Sequence, residues 1–392
     1  MENNYETVCL CALNSIFGYE PRVASALIEN LGSASAVFEM SDADKDAVFG
    51  PYSKYRGKIV KKELDAAEAV LQRLRRDGTV FVGITSDEYP KRLKGCEDAP
   101  LGIFVRSDSP VERIFAGTEH YVAVVGTREI TPYGEQWCRD IVRTLAGSGA
   151  APCIVSGLAY GTDIIAHRTA VECGLPTIAV MATGTDIVYP GRHRGFAEHL
   201  AGLPGCALVT DYPPGTAPVA LNFIRRNRII AGLSDSVILV ESAVKGGGMI
   251  TGRLAFSYNR SVYALPGRGD DSRSQGCNHL IREGVAEIID SLDGLNVQLG
   301  LCEKGRGCGG MQGCCRIVRG DLTERYSRTL PEDKIAAMTA VLLKVRERRG
   351  IDFDGLCDAT GLPYRSVAEV VALLENDGMI SVDLLRRCSI RG

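Results

Sequence analysis

The sequence predicts an α/β protein: an extended Rossmann-like domain with a doubly wound, mainly parallel sheet, flanked by a helical N-terminal module and a C-terminal winged helix. Three observations predict it. The first part of the chain shows only the apolar spacing of helices. Short apolar strands then alternate with helices, and a glycine-rich break precedes three further helices. At roughly 150 residues per domain, the 392 residues correspond to two or three domains.

The central domain, residues 77–296, is predicted from short runs of β-branched and apolar residues. These runs cover residues 121–125, 153–156, 177–181, 207–210, 236–240 and 261–264. Helical patterns lie between most of them, notably at residues 133–145 and 162–173. Strands that are apolar along their whole length and alternate with helices indicate a parallel sheet covered on both faces.

The flanking segments are predicted to be helical. Residues 1–76 carry apolar side chains at three-and-four spacing, which is typical of a helix-hairpin-helix or SAM-like module. Such a module either donates backbone amides to DNA phosphates or only packs, and the sequence leaves both open. Residues 297–331 read as a linker rich in glycine and cysteine, and residues 332–392 as three helices with a small hairpin, the elements of a winged helix.

Composition limits the possible partners. The net charge is −3, so nucleic acid would be bound only through a local cluster of positive charge. The fourteen cysteines are mostly scattered through apolar segments, where they act as small buried hydrophobes. No signal-peptide core opens the chain and no apolar run approaches the ~20 residues that span a bilayer. We therefore expect a cytoplasmic protein without a membrane partner.

In open α/β sheets, ligands bind beyond the carboxyl ends of the strands. The turn after the first core strand contains Gly126, Thr127 and Arg128, and a helix opens after it at Thr131 and Pro132. Glycine permits a close backbone approach, a helix N-terminus attracts anions, and arginine is a bidentate phosphate donor. The turn is predicted to bind phosphate, but it lacks the G-x-G-x-x-G pattern of a dinucleotide site.

The turn after the second strand is predicted to form another anion cradle from Ser156, Gly157 and Gly161. Asp163 and His167 follow, four residues apart on one helix face. They are compatible with an acid–base pair or with a local hydrogen bond that stiffens the cradle, and the second interpretation is favoured.

Positive charge is concentrated further along the chain. Arg192 lies in a basic loop that opens with an aromatic residue and suits a nucleic-acid backbone, although a solvated loop explains the spacing equally well. The richest segment comprises Asn222, Phe223, Arg225, Arg226, Asn227 and Arg228. Arginines near a helix N-terminus oppose the helix dipole, so an anionic ligand explains them better than local stability does. A last anion-binding turn is predicted at Lys245, Gly247, Gly248 and Thr251.

Enzyme and metal motifs are missing from the sequence. It contains no P-loop, nucleophile elbow or H-E-x-x-H motif, and it gives no reason to expect a cofactor. Four linker cysteines, Cys302, Cys308, Cys314 and Cys315, do not form a clean pair of C-x-x-C units, so a zinc site is the less favoured interpretation.

An ordered series of stretches resembles the DNA-processing protein DprA (Smf) family. They lie at residues 89–90, 93, 99–100, 125–128, 156–163, 166–167, 189–190, 212–215, 226–233, 264–267, 276–278 and 280–284. The resemblance implies a homodimer, not an enzyme, that binds single-stranded DNA, protects incoming DNA during natural transformation and helps to load the recombinase RecA. It also implies a basic pocket that includes Arg128 and the arginines at residues 225–228. One departure is Gly246, where the family usually has serine.

Two other classes of protein remain as alternatives. A Rossmann-like nucleotide phosphoribohydrolase would carry a glutamate about one turn after its glycine motif, but residues 252–255 contain no carboxylate. A winged-helix transcription factor would need a basic face. Residues 335–392 instead hold eight Lys/Arg and eight Asp/Glu, which favours contact with protein.

Overall fold

A nine-stranded sheet forms the centre of the computed structural model, which describes residues 2–74, 78–292, 294–301, 322, 326, 330–348, 350–383 and 386–390. The strands are β1 (Thr79–Gly83), β2 (Gly102–Arg106), β3 (Tyr121–Val125), β4 (Cys153–Ser156), β5 (Thr177–Val180), β6 (Ala207–Thr210), β7 (Ser236–Leu239), β8 (Ser261–Ala264) and β9 (Glu287–Ile288). Their order across the sheet is β1-β2-β6-β5-β4-β3-β7-β8-β9.

The sheet confirms the predicted doubly wound α/β fold. Strands β3 to β9 are parallel to one another and pair in the order β6-β5-β4-β3-β7-β8-β9. The chain reverses its winding direction between β3 and β7. This neighbouring pair is the topological switch point, where doubly wound proteins bind ligands. Strands β1 and β2 form an antiparallel edge that the sequence patterns did not predict, and β2 pairs antiparallel with β6.

Helices cover both faces of the sheet. They are α6 (Lys91–Lys94), α7 (Val111–Ala116), α8 (Pro132–Ala146), α9 (Thr162–Glu172), α10 (Arg194–Ala201), α11 (Ala220–Leu233), α12 (Gly247–Ser257), α13 (Gln275–Arg282) and α14 (Leu295–Gln298). Successive strand residues enter different cores: Val125 packs with Met249 on one face, and Val124 packs with Cys138 on the other. Burial on both faces explains why the strands are apolar along their whole length.

The N-terminal module is helical, as predicted. Its helices are α1 (Glu2–Phe17), α2 (Pro21–Leu31), α3 (Ala34–Glu39), α4 (Asp42–Phe49) and α5 (Lys61–Leu74). Leu10 of α1 shares a buried cluster with Phe81 and Phe104 of the edge strands. A Cβ on Gly83 would lie 2.8 Å from Leu10 Cδ1, so glycine permits this close packing. The module is therefore packed against the sheet, and the boundary near residue 76 remains a prediction.

The C-terminal segment contains three helices and a three-stranded sheet. The elements are α15 (Glu332–Glu347), β10 (Ile351–Asp352), α16 (Phe353–Thr360), α17 (Tyr364–Asn376), β11 (Ile380–Val382) and β12 (Arg387–Ile390). The strand order is β10-β12-β11. These elements suit a winged helix, which remains a prediction. The linker cysteines lie outside the described residues, and within the described part of the chain no helix could cross a membrane.

Candidate nucleic-acid interface

The turn after β3 is pressed against its neighbours at the switch point. A Cβ on Gly126 would lie 2.4 Å from Thr162 Oγ1 and 2.8 Å from the carbonyl oxygen of Glu241, so only glycine fits. The amide of Thr162, at the start of α9, donates to the carbonyl of Thr127 at 3.1 Å. The turns after β3 and β4 are thus joined into one surface.

The N-terminus of α8 already holds an anion, which is the protein's own Glu241. Thr131 is the N-cap, accepting from the amide of Gly134 at 3.1 Å, with Pro132 at the first helical position, as predicted. The Glu241 carboxylate, 1% exposed, accepts from the amide of Thr131 at 2.9 Å and from its hydroxyl. The prediction that this helix N-terminus binds an external phosphate is therefore wrong, because a buried carboxylate takes its positive end.

Close to the filled N-terminus of α8, two turns and the first part of α11 bring together Arg128, Tyr189 and Phe223, which we call the Arg128 cluster. Arg128 is exposed, and its guanidinium carbon lies 5.0 Å from the centre of the Phe223 ring. The Tyr189 ring meets the Phe223 ring edge-on, with 5.4 Å between centroids. A guanidinium stacked on an aromatic face keeps its edge N–H groups available for a phosphate.

Further cations line the exposed turns. Arg192 and Lys245 are exposed, and neither they nor Arg128 form an ion pair with a carboxylate in the described ranges. Asn227 Nδ2 donates to the carbonyl of Gly247 at 3.4 Å, which ties α11 to the first residue of α12. These exposed, unneutralised cations make the surface suitable for a polyanion.

The structure contradicts the prediction that Arg226 and Arg228 contact DNA, because both side chains are buried, at 3% and 7% exposure. Arg226 Nη1 donates to the carbonyl of Gly157 at 2.7 Å and to that of Val180. Arg228 Nη2 contacts Asp211 Oδ2 at 2.6 Å. The two guanidinium groups clamp the carboxyl ends of β4, β5 and β6 rather than meeting phosphate.

The electrostatics of these two arginines follow from their burial. Burial lowers the pKa of Arg226 to about 10, although Asp163 opposes the shift. Burial also acts to lower the pKa of Arg228, but Asp211 and Asp98 outweigh it and raise the pKa above its ordinary value.

Several other predicted contacts serve the interior of the protein. Ser156 Oγ donates to the carbonyl of Val124 at 2.7 Å, and the buried Thr251 hydroxyl donates to that of Gly247 at 3.5 Å. Asn222 is buried, and its Oδ1 accepts from the hydroxyl of Tyr19 at 3.2 Å. The structure contradicts their assignment as DNA-contacting side chains.

Close packing requires glycine at Gly157 and Gly161 in the turn after β4. A Cβ on Gly157 would lie 2.3 Å from Arg226 Nη1, and one on Gly248 would touch the Cα of Gly126 at 3.4 Å. Gly161 has φ +73°, and its added Cβ would lie 2.3 Å from the carbonyl oxygen of Thr127. Gly247 is exposed at the start of α12 and fits the predicted role of a phosphate-binding amide.

Asp163 and His167 do not pair with each other, so both sequence interpretations are wrong. The hydroxyl of Thr177 donates to the carbonyl of Ile154 at 2.8 Å and therefore accepts from His167 Nδ1 at 2.7 Å. Asp163 accepts from the amide of Ala159 at 3.3 Å. Burial lowers the pKa of His167 to about 3 and raises that of Asp163. Asp163 thus supports the turn after β4, whereas His167 ties α9 to the first residue of β5.

Sequence reasoning missed the partners of the arginines. Asp211, which pairs with Arg228, directly follows β6, and Glu241 lies two residues after the end of β7. A carboxylate immediately beyond a buried strand was the available signal. Tyr19, whose carbonyl accepts from Arg225, gave no such signal, because it lies about 200 residues away in another module.

Comparison with known proteins gives a consistent result. The model of the family described as DNA recombination-mediator protein A matches residues 80–300. Protein Smf of Synechocystis is 36% identical over 92% of this chain and 93% of its own length. Protein Smf of Escherichia coli is 39% identical over 60% of this chain, and the match spans 61% of that relative's length.

Two solved structures are also similar. The X-ray structure of DNA processing protein A from Streptococcus pneumoniae has a TM-score of 0.59 and 28% identity, covering 75% of this chain and 95% of that chain. A structure of DNA processing protein A from Helicobacter pylori, titled for its single-stranded DNA binding mode, has a TM-score of 0.49 and 30% identity, covering 56% of this chain and 95% of that chain.

Proposed function

Because this chain belongs to the DNA recombination-mediator protein A family, we propose that it binds single-stranded DNA on the surface around the Arg128 cluster. The observation that carries the proposal is the exposed Arg128 guanidinium stacked 5.0 Å from the Phe223 ring, with no carboxylate partner in the described residues. Phosphate binds to the guanidinium edge, while aromatic faces accept unpaired bases.

The proposal favours a single strand over a duplex for a physical reason. Phe223 and Tyr189 can stack only on bases that are not already enclosed in a double helix. Arg128, Arg192, Lys245 and the amide of Gly247 would contact the backbone, which carries no sequence information. Binding is therefore sequence-tolerant and steeply dependent on salt.

The biological role that we propose follows the family. The protein protects incoming DNA in natural transformation and hands it to the recombinase RecA, acting as a homodimer in the cytoplasm. It works as a binding protein and not as an enzyme: the candidate acid–base pair of Asp163 and His167 is buried and split between different partners. The C-terminal segment, with its balanced charge, would serve protein contacts rather than duplex recognition.

The test is fluorescence anisotropy with a labelled oligothymidylate and its duplex, titrated over a series of salt concentrations. We expect tighter binding of the single strand. Arg128→Ala should weaken it and flatten the slope of log affinity against log salt by about 0.7, one phosphate's worth. Arg113→Ala is the matched control. Arg113 is exposed on α7, the helix that precedes the amino end of β3, and so lies at the opposite end of the strand from the turns.

The outcomes separate clearly. Preference for the duplex would refute the proposal. Equal affinity of the Arg128→Ala and wild-type proteins would also refute it, provided that the variant melts at the wild-type temperature.

A further inference from the structure

The turn between α1 and α2 of the N-terminal module contacts the arginine helix α11. Arg225 Nη1 donates to the carbonyl of Tyr19 at 2.9 Å, and the Arg225 guanidinium lies 3.9 Å from the centre of the Tyr19 ring. The Tyr19 hydroxyl donates to Asn222 Oδ1, one helical turn before Arg225. Tyr19 therefore holds Arg225 by its backbone carbonyl and its ring, while its hydroxyl ties the turn to Asn222 of the same helix.

The position of Arg225 on α11 complements that of Phe223. Successive residues of an α-helix are about 100° apart, so Phe223 and Arg225 lie about 200° apart, on opposite flanks of the helix. Between them, Leu221 and Ile224 are exposed apolar side chains, three residues apart on one face. The amino-terminal half of α11 thus presents an apolar ridge between two arginine–aromatic pairs, Arg128 with Phe223 and Arg225 with Tyr19.

One carboxylate, that of Glu20, lies near enough for the hydrogen bonds of Tyr55 and Lys54, together with the charge of Arg225, to lower its pKa. Glu20, the next residue on the turn, is paired with Lys54, whose Nζ lies 2.9 Å from Glu20 Oε1. Arg225 itself forms no ion pair with a carboxylate in the described ranges of the chain. The Tyr19 ring is 52% exposed, so the stacked pair lies at the surface.

We propose that Arg225, positioned by Tyr19, is a second phosphate contact, and that the single strand crosses α11 over Leu221 and Ile224 to reach it. The N-terminal module is then part of the DNA-binding surface and not merely a packed neighbour. This inference rests on the proposed function, and it assigns Tyr19 as a positioning residue. The apolar ridge suits bases, and the two guanidinium groups at its sides suit successive stretches of phosphate backbone.

The test is a double-mutant cycle on the full-length protein, read by anisotropy with oligothymidylate across salt concentrations. Arg225→Ala should weaken binding and flatten the salt slope by about 0.7. Tyr19→Ala should weaken binding by about three- to tenfold, the value of a lost cation–π contact. In the Arg225→Ala background, Tyr19→Ala should have little further effect, because its target is gone.

Two control variants exclude a merely structural role. Tyr52→Ala removes a tyrosine of the same module that is 98% exposed, and it should bind as the wild type does. Tyr19→Phe keeps the ring and the carbonyl and should restore most of the affinity. A variant that only loosened the module would lower the melting temperature without changing the salt slope.

Each result has a definite meaning. If Arg128→Ala weakens binding while Arg225→Ala keeps wild-type affinity and slope, this inference is wrong and the proposed function stands. If both variants bind as the wild type does, the proposed function itself fails. Tighter binding by Tyr19→Ala would overturn the inference by showing that the turn covers Arg225 instead of presenting it.

Discussion

Replacing Arg228 should damage stability and not DNA binding. In the variant Arg228→Met, the buried Asp211 carboxylate loses the guanidinium at 2.6 Å, and its Oδ1 already has no hydrogen-bond partner among the described residues. The carbonyl of Asp98 loses its donor as well. Removing one member of a buried ion pair costs about 3–5 kcal/mol, so we expect the free energy of unfolding to fall by about that amount.

The assay is urea denaturation with anisotropy measured on the same preparation. The double variant Arg228→Met with Asp211→Leu removes both charges and should recover most of the lost stability, because no buried charge is left unpaired. At a temperature where Arg228→Met is folded, its affinity for oligothymidylate should match the wild type. A variant with unchanged unfolding free energy and lost DNA binding would refute the assignment of Arg228 as a strand clamp.

Three further predictions concern Gly161, His167 and Glu241. Gly161→Ala should lower the free energy of unfolding, measured in urea, by about 1–3 kcal/mol. Gly174→Ala is the control and should cost less, because Gly174 has φ +72° but open space where a Cβ would lie. Equal losses would contradict the clash with Thr127. The pKa of His167 is lowered to about 3, so below pH 6.5 the unfolded chain binds a proton that the folded protein does not. Stability should therefore fall with pH by up to about 1.4 kcal/mol per pH unit. His167→Gln should flatten this slope in urea titrations, and an unchanged slope would contradict the assignment. Glu241→Gln should lower the melting temperature through about 1–3 kcal/mol of lost charge-assisted bonding to Thr131, and an unchanged temperature would contradict the capping role.

The fold was predictable because its strands and helices follow from the spacing of apolar residues along the sequence. Strands buried on both faces are apolar throughout, and Val124 and Val125 illustrate why: they point into different cores. The antiparallel edge of β1 and β2 was not predicted, because Phe104 of β2 packs with Leu10, which belongs to another module.

The site was predictable only in part. The sequence predicted Arg128 as a phosphate donor in a glycine turn; the structure shows its side chain exposed, and its contact with DNA remains a prediction. The arginines at residues 225–228 look alike in sequence, but helix geometry sends each in a different direction. Arg226 and Arg228 meet strand ends, while Arg225 meets Tyr19. The partners that decide these roles are distant in the chain.

The buried Glu241 has a consequence for how the protein behaves in a crowded cell. Most Rossmann-like proteins leave the amino end of the helix after their first strand open to the phosphates of nucleotides. Here, a tethered carboxylate fills that end of α8 and is present at a fixed, very high local concentration. Free ATP and NAD, which are abundant beside any DNA transaction, would have to displace a covalently attached competitor. The surface that we propose for single-stranded DNA can thus share a nucleotide-type scaffold without being occupied by free nucleotides.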